Sequence, residues 1–176
     1  MMRFHLGELE VLFPYDRIYP EQFQYMRHLK EALDAGNSKK RHCLLEMPTG
    51  TGKTVCLLSL ITSYQAAHKD SVAKLVYCTR TVPEMTKCVQ ELKTVINYRR
   101  SQAKDHKENV IGICLSSRRN MCIHPLANNE TDSETVDALC RSMTAPWVRE
   151  NQAHTPLSST TSDSICGFYE KTCGNL

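Results

Sequence analysis

A short apolar run that enters a two-glycine loop and leaves it as a helix constrains this chain more than any other stretch. It reads Leu44-Leu45-Glu46-Met47-Pro48-Thr49-Gly50-Thr51-Gly52-Lys53-Thr54, and Val55 to Ile61 continue it as apolar helix. Glycines let successive backbone N–H groups turn inward, and the helix start adds the positive end of its dipole. That is the order of parts a phosphate cradle needs. Met47, Pro48, Thr49, Gly50, Thr51, Gly52, Lys53 and Thr54 therefore form the candidate nucleotide site. Lys53 is expected to reach the β- and γ-phosphates, and the Thr54 hydroxyl to ligate Mg²⁺. The full G-x-x-x-x-G-K-[ST] pattern asks for glycine at position 47, where this chain has Met47.

The surrounding sequence repeats one alternation. Leu9 to Phe13 reads as a short strand closed by Pro14-Tyr15-Asp16. A helix is expected to start at Pro20 and stop at Gly36, with Phe23, Met26, Leu29 and Leu33 on one face. Asn37 to Arg41 is a basic loop. Strands are expected at about 43–47, 73–79 and 110–115, separated by helices at about 53–67 and from Thr81 onward. The second helix carries a stripe of Met85, Cys88, Val89, Leu92, Val95 and Ile96, and Tyr98 to Asn109 reads as a charged connector. The order βαβαβ predicts an α/β fold with a parallel, helix-covered sheet whose ligands bind at the strands' carboxyl ends. After Ser116 the long apolar stripes stop, and a boundary is expected between 1–117 and 118–176.

The net charge of +3 is too small to imply nucleic acid by itself. No apolar run approaches the length of a membrane span, and Met1 to His5 lacks a signal-peptide core, so neither a membrane partner nor export is expected. The Asn129-Glu130-Thr131 sequon is therefore expected to be idle. Nine cysteines are many for such a chain. Cys43, Cys56, Cys78, Cys88 and Cys114 sit among apolar residues and read as small buried hydrophobes. Cys122, Cys140, Cys166 and Cys173 lie in polar sequence at separations of 18, 26 and 7 residues. Without a C-x-x-C pair they do not fit a zinc ribbon, but four thiolates gathered by folding suit an iron–sulfur cluster. Zinc held by cysteines with His124 or His154 is the other metal reading.

Three further places carry candidate chemistry. Thr79, Arg80 and Thr81 fall on the same rim as the phosphate loop, where they either contact a nucleic-acid phosphate or form a helix cap beside a solvated arginine. Arg118 and Arg119 precede Cys122 and would balance a thiolate-bound cluster, touch a DNA backbone, or form a solvated turn. Gln22 precedes the loop by about the distance at which some motor ATPases place an adenine-reading glutamine; taken alone it is a surface helix residue.

Together these stretches resemble the XPD family, the superfamily-two iron–sulfur DNA helicases of the transcription and repair factor TFIIH. The resemblance rests on Phe13-Pro14-Tyr15-Asp16, Tyr19-Pro20-Glu21-Gln22-Phe23, the Pro48–Thr54 core typical of helicase-type motors, Cys78-x-Arg80-Thr81-Val82-Pro83-Glu84, and Ser116-Ser117-Arg118-Arg119-Asn120-Met121-Cys122-Ile123-His124-Pro125. It runs through 9–124, resumes at Cys140, Thr144-Ala145 and Val148-Arg149, and recovers at Cys166 and Phe168-Tyr169-Glu170. The opening motifs look more like this family than like the related Fanconi-anaemia J or RTEL helicases. The resemblance implies an incomplete RecA-like domain followed by an irregular, mainly helical iron–sulfur insertion. It also implies ATP-driven 5′-to-3′ unwinding in nucleotide excision repair and transcription initiation. Single-stranded or duplex DNA and the other TFIIH subunits are the implied partners, and the nucleus the implied location. Carried over, Gly50, Gly52, Lys53 and Thr54 match the ATP loop and Gln22 the adenine-side motif. Thr79, Arg80 and Thr81 match a strand-contact motif. Cys122, Cys140 and Cys166 match the first three ligands of a [4Fe–4S] cluster.

Departures from the family pattern shape the expectation. No Asp-Glu-x-His box follows any strand, and the Cys-Pro-Tyr context of a fourth ligand is absent, Cys173 standing only seven residues beyond Cys166. The chain thus reads as the front of a longer helicase, binding nucleotide without turning it over. A non-enzymatic remnant or interaction module is the alternative, and a small P-loop kinase or GTPase with a zinc-bound tail a third.

Overall fold

The computed structural model describes residues 1–36, 42–69, 72, 74–102, 110–153 and 165–173. The basic loop 37–41, His154 and the serine-rich tract 158–164 lie outside them, as does the side chain of Cys173. The described chain forms two compact units, Met1–Cys114 and Leu115–Leu176.

The first unit opens on a hairpin, β1 (Met2–Leu6) paired antiparallel with β2 (Leu9–Phe13), with Leu6 opposite Leu9. Gly7 has φ +59°, the conformation that a two-residue hairpin turn reserves for glycine at its first position. Helices α2 (Lys53–Ala67) and α3 (Val82–Gln102) pack on β2, and α1 (Pro20–Gly36) packs on α2. α1 and α2 keep the bounds expected from sequence. α2 is the centre of the unit: Val55, Cys56 and every residue from Leu58 to Tyr64 are buried, so it is enclosed on all sides. Two of its buried polar members are paired, while the Ser59 hydroxyl is buried without a partner among the described residues. Thr62 Oγ1 donates back to the Leu58 carbonyl at 2.8 Å, and Ser63 Oγ accepts from Leu12 N–H and from Arg99, tying β2, α2 and α3 together.

α3 runs past the expected connector start at Tyr98. The reason is that Val95, Tyr98 and Arg99 recur at i, i+3 and i+4 and are all buried, with the Tyr98 hydroxyl donating to the Met2 carbonyl at 3.2 Å.

The parallel sheet is the main departure from expectation. Among the described residues β1 and β2 form the only sheet, and 42–48, 74–79 and 110–117 lie outside any ladder. Leu44 is 98% exposed, and Val76 and Ile111 are each 84% exposed. Parallel pairing is slightly weaker per residue than antiparallel and needs both sheet faces covered. Here the inner side of the segments meets the helices, with Met47 buried in the core and Gly112 against Leu92 of α3, while their outer sides are left without a cover among the described residues. Cys43 and Cys78 share that fate and are exposed rather than buried, while Cys88 and Cys114 are half-buried.

Cys56 meets the expectation, and burial pushes its thiol up to about 12. A neutral thiol is not the nucleophile. We therefore expect that iodoacetamide at pH 8 labels Cys43 and Cys78 in the native chain while Cys56 is labelled only after denaturation; equal labelling of all three would contradict this placement.

The second unit is a set of short helices around α6 (Ser133–Thr144): α4 (Arg118–Met121), α5 (Pro125–Asn128), α7 (Pro146–Ala153) and α8 (Gly167–Cys173). Asp132 caps α6, accepting from Thr135 N–H at 2.8 Å, a bond that holds its carboxyl below the usual range. Ala127, Val136, Met143, Ala145 and Cys166 are its buried apolar residues. Among the described residues no helix is long and apolar enough to cross a membrane.

Candidate functional site

The loop Met47–Thr54 is built by its glycines. Gly50 has φ +79° and Gly52 φ +77°, and Gly52 stands at the N-cap of α2 in the left-handed conformation. Only glycine takes these values at no steric cost, and the paired turns curl the loop over the helix start. Lys53 Nζ points back into that curl, donating to the carbonyls of Met47 and Pro48, each at 2.9 Å. Thr51 Oγ1 donates to the Pro48 carbonyl at 2.6 Å, closing the turn from the other side. The arrangement brings a cation, a helix N-terminus and inward-curled backbone to one place, which is an anion-binding constellation.

Gln22 belongs to it. It is 5% exposed, so it is not a surface residue. Its Oε1 accepts from Tyr19 N–H at 2.9 Å and its Nε2 donates to the Thr51 carbonyl at 2.8 Å, linking the first turn of α1 to the loop. A cleft of about 400 Å³ opens alongside, between Pro20, Tyr25 and His28 of α1 and the residues Leu45 to Pro48. Burial, then Cys56, Tyr77 and Cys43 nearby, push the Tyr25 phenol up.

Tyr77 is a residue that sequence reasoning passed over. Its hydroxyl lies 3.3 Å from the Thr54 hydroxyl, which places the end of the 74–79 segment over the start of α2. Its position directly before the Cys78-x-Arg80 motif was the available signal.

Of the two readings open for Thr79–Thr81, the cap is present. Thr81 Oγ1 accepts from Glu84 N–H at 3.4 Å, and the Glu84 carboxylate takes both the Arg80 N–H at 3.1 Å and its guanidinium at 2.9 Å. The side-chain bond from Arg80 is the first cause holding the Glu84 carboxyl below its ordinary range. Arg80 itself is 88% exposed, so this pair is a weak, solvent-screened one that leaves the guanidinium accessible. Thr79 Oγ1 donates to the Thr81 carbonyl at 3.3 Å.

In the second unit Cys122 ends α4, Cys140 lies on α6, and Cys166 donates its N–H to the Met143 carbonyl near the end of α6. All three are free thiols. Arg118 bonds Asp137 at 3.3 Å and also faces Cys140, the two together raising its already high pKa. Thiol chemistry suits a cluster, yet among the described residues no three His, Cys, Asp or Glu side chains are gathered closely enough to hold a metal ion. His124 Nδ1 is buried without a hydrogen-bond partner among the described residues, its ring edge-on to Phe168 at 6.2 Å.

The sequence is similar along most of its length to known proteins. A family model described as DEAD_2 matches residues 77–175. The chain is 48% identical over 173 residues to the general transcription and DNA repair factor IIH helicase subunit XPD of Arabidopsis thaliana, covering 96% of this chain and 21% of that protein. With the subunit of the same name from Schizosaccharomyces pombe the identity is 51% over 151 residues, 86% of this chain and 19% of the relative. Regulator of telomere elongation helicase 1 of Mus musculus is 28% identical over 184 residues, covering 82% of this chain and 14% of that protein. The chain is thus more similar to these XPD subunits than to this RTEL helicase. The chain spans about a fifth of the length of these two XPD subunits.

Proposed function

The chain belongs to the DEAD_2 family, and from that membership we propose that it is the front portion of an ATP-dependent DNA helicase of the XPD kind. The observation that carries the reading is the Met47–Thr54 loop, with two left-handed glycines, Lys53 Nζ turned into the curl and Gln22 fixed against Thr51. In this reading Lys53 holds the β- and γ-phosphates, Thr54 ligates Mg²⁺ and Gln22 faces the adenine. Met47 to Gly52 supply the backbone around the phosphates. Thr79, Arg80, Thr81 and Arg118 contact the DNA backbone, where phosphate contacts position rather than specify. Cys122, Cys140 and Cys166 supply thiolates to a [4Fe–4S] cluster, with RecA-like architecture assigned to 1–117 and the cluster domain to 118–176. The protein would act 5′-to-3′ in nucleotide excision repair and transcription initiation, in the nucleus, with other TFIIH subunits.

The chain's own residues bind and orient nucleotide, but the Asp-Glu-x-His carboxylates that hold metal and position water are not in this sequence. Since phosphoryl transfer depends on positioning and charge stabilisation, the chain alone is expected to bind ATP and hydrolyse it negligibly. Titration with a fluorescent ATP analogue and Mg²⁺ tests this. Lys53→Ala should weaken binding roughly 10- to 100-fold, the worth of a charge-assisted hydrogen bond. Unchanged affinity, or motor-like turnover by this chain, would sink the reading. A second reading is a non-enzymatic module that retains nucleotide binding. Coding sequence downstream with that box and a Cys-Pro-Tyr would exclude it. Iron with acid-labile sulfide after anaerobic expression would support the cluster, and zinc alone would oppose it.

A further inference from the structure

Cys88 and Cys114 have no part in the reading above, and the fold sets them opposite each other. Residues 110–114 run along α3, and the register is given by Gly112. A Cβ built on Gly112 would lie 2.9 Å from Leu92 Cδ2, so the backbone there touches the helix directly. Along this segment Ile111, Ile113 and Leu115 are 84%, 78% and 80% exposed while Cys114 is half-buried. That period of two puts Cys114 on the side that Gly112 presents, a rise of about 6.6 Å away. On α3 the residue one turn before Leu92 is Cys88, about 6 Å along the axis on the same face. The two steps match in length, so Cys114 falls beside α3 about one turn from Leu92, and its influence on the Cys88 thiol picks the Cys88 side. Both thiols are free and half-buried, and Cys88 packs with Leu92 against the core. The surroundings agree: burial raises the Cys88 thiol first, and Cys114 and then Glu91 add to it.

We propose that Cys88 and Cys114 form a redox-modification site, a dithiol that a peroxide converts to an intramolecular disulfide tethering the 110–114 segment to α3. The Cys114 thiolate attacks one peroxide oxygen, breaking the O–O bond and giving a sulfenic acid and water. The Cys88 thiol then displaces the sulfenic hydroxyl as a second water, and the S–S bond forms. Both thiols lose a proton, the pair loses two electrons, and the peroxide is reduced to two waters. A dithiol reductant reverses the step.

The test treats the folded full chain with hydrogen peroxide, blocks remaining thiols, and maps trypsin peptides without reduction. The expected product joins Cys88-Val89-Gln90-Glu91-Leu92-Lys93 to the peptide Glu108–Arg118, lighter by two hydrogens than its parts and separated by reductant. Cys88→Ser and Cys114→Ser should each abolish it, and Cys43→Ser should leave it. Should a variant fail to fold, dibromobimane on the unoxidised wild-type chain gives an independent reading, since it fluoresces when it bridges two close thiols. Both cysteines remaining singly alkylated, or Cys88 bridging to any other cysteine, overturns the proposal.

Discussion

Replacing Gly52 with alanine is expected to cost more stability than the same change at Gly50, although both glycines have nearly the same φ. A Cβ in the left-handed region costs about 1–2 kcal/mol at either position. At Gly50 nothing lies within 4 Å of the added atom, so that cost is the whole effect. At Gly52 the Cβ would meet Gln22 Nε2 at 2.9 Å and Val55 Cγ1 at 3.3 Å. The amide must then withdraw from the Thr51 carbonyl, and a buried polar group left unpaired adds roughly 1–3 kcal/mol. Urea denaturation of the two variants measures the difference. Adding Gln22→Ala to Gly52→Ala should recover part of the excess, because the two positions share one contact. Equal losses at the two glycines would mean that Gln22 does not press on the loop as described.

The second large effect is expected at Phe13. It belongs to the Phe13-Pro14-Tyr15-Asp16 stretch, whose role is packing in this structure. Phe13 is 1% exposed, Tyr15 stacks edge-on to it at 5.8 Å, and the Tyr15 hydroxyl donates to Glu91 Oε2 of α3 at 3.1 Å. Phe13→Ala should destabilise the first unit by about 3–5 kcal/mol, the usual range for truncating a buried aromatic. That is a large share of the stability of a small domain. Tyr15→Phe, which removes an exposed hydrogen bond, should change it far less. A midpoint for Phe13→Ala close to that of the unmutated chain would place Phe13 outside the core.

What could be read from residues alone followed the strength of the local signals. α2 was legible because glycine, lysine and an unbroken apolar run all set the same start, and α1 because Pro20 and Gly36 bracket it. β1 is not among the expected elements although Met2, Phe4 and Leu6 alternate with polar residues and Gly7-Glu8 is a suitable turn, because so short an alternation gains its meaning only from the pairing with β2. The three expected strands have the composition of buried strands, but composition does not state which partner covers them, and pairing depends on groups distant in sequence. The end of α3 was misplaced because Arg99 looks like surface until its contact with Ser63 is seen. Gln22 was legible as a motif residue, and its burial only from the fold. The cysteines divide in the same way. Cys122, Cys140 and Cys166 were set apart from the rest by sequence, but their gathering is a tertiary property.

The two hydrogen bonds of Gln22 make any recognition by this side chain an exchange reaction. A ligand that wants its Nε2 must take it from the Thr51 carbonyl, and one that wants its Oε1 must take it from Tyr19 N–H. Bonds given up are nearly equal to bonds gained, so Gln22 contributes little to raw affinity. A ligand with the wrong donor or acceptor, however, strands a buried group and is penalised in full. In the proposed nucleotide-binding role the residue would therefore discriminate among ligands, and the strength of binding would come from the glycines and lysine beside it.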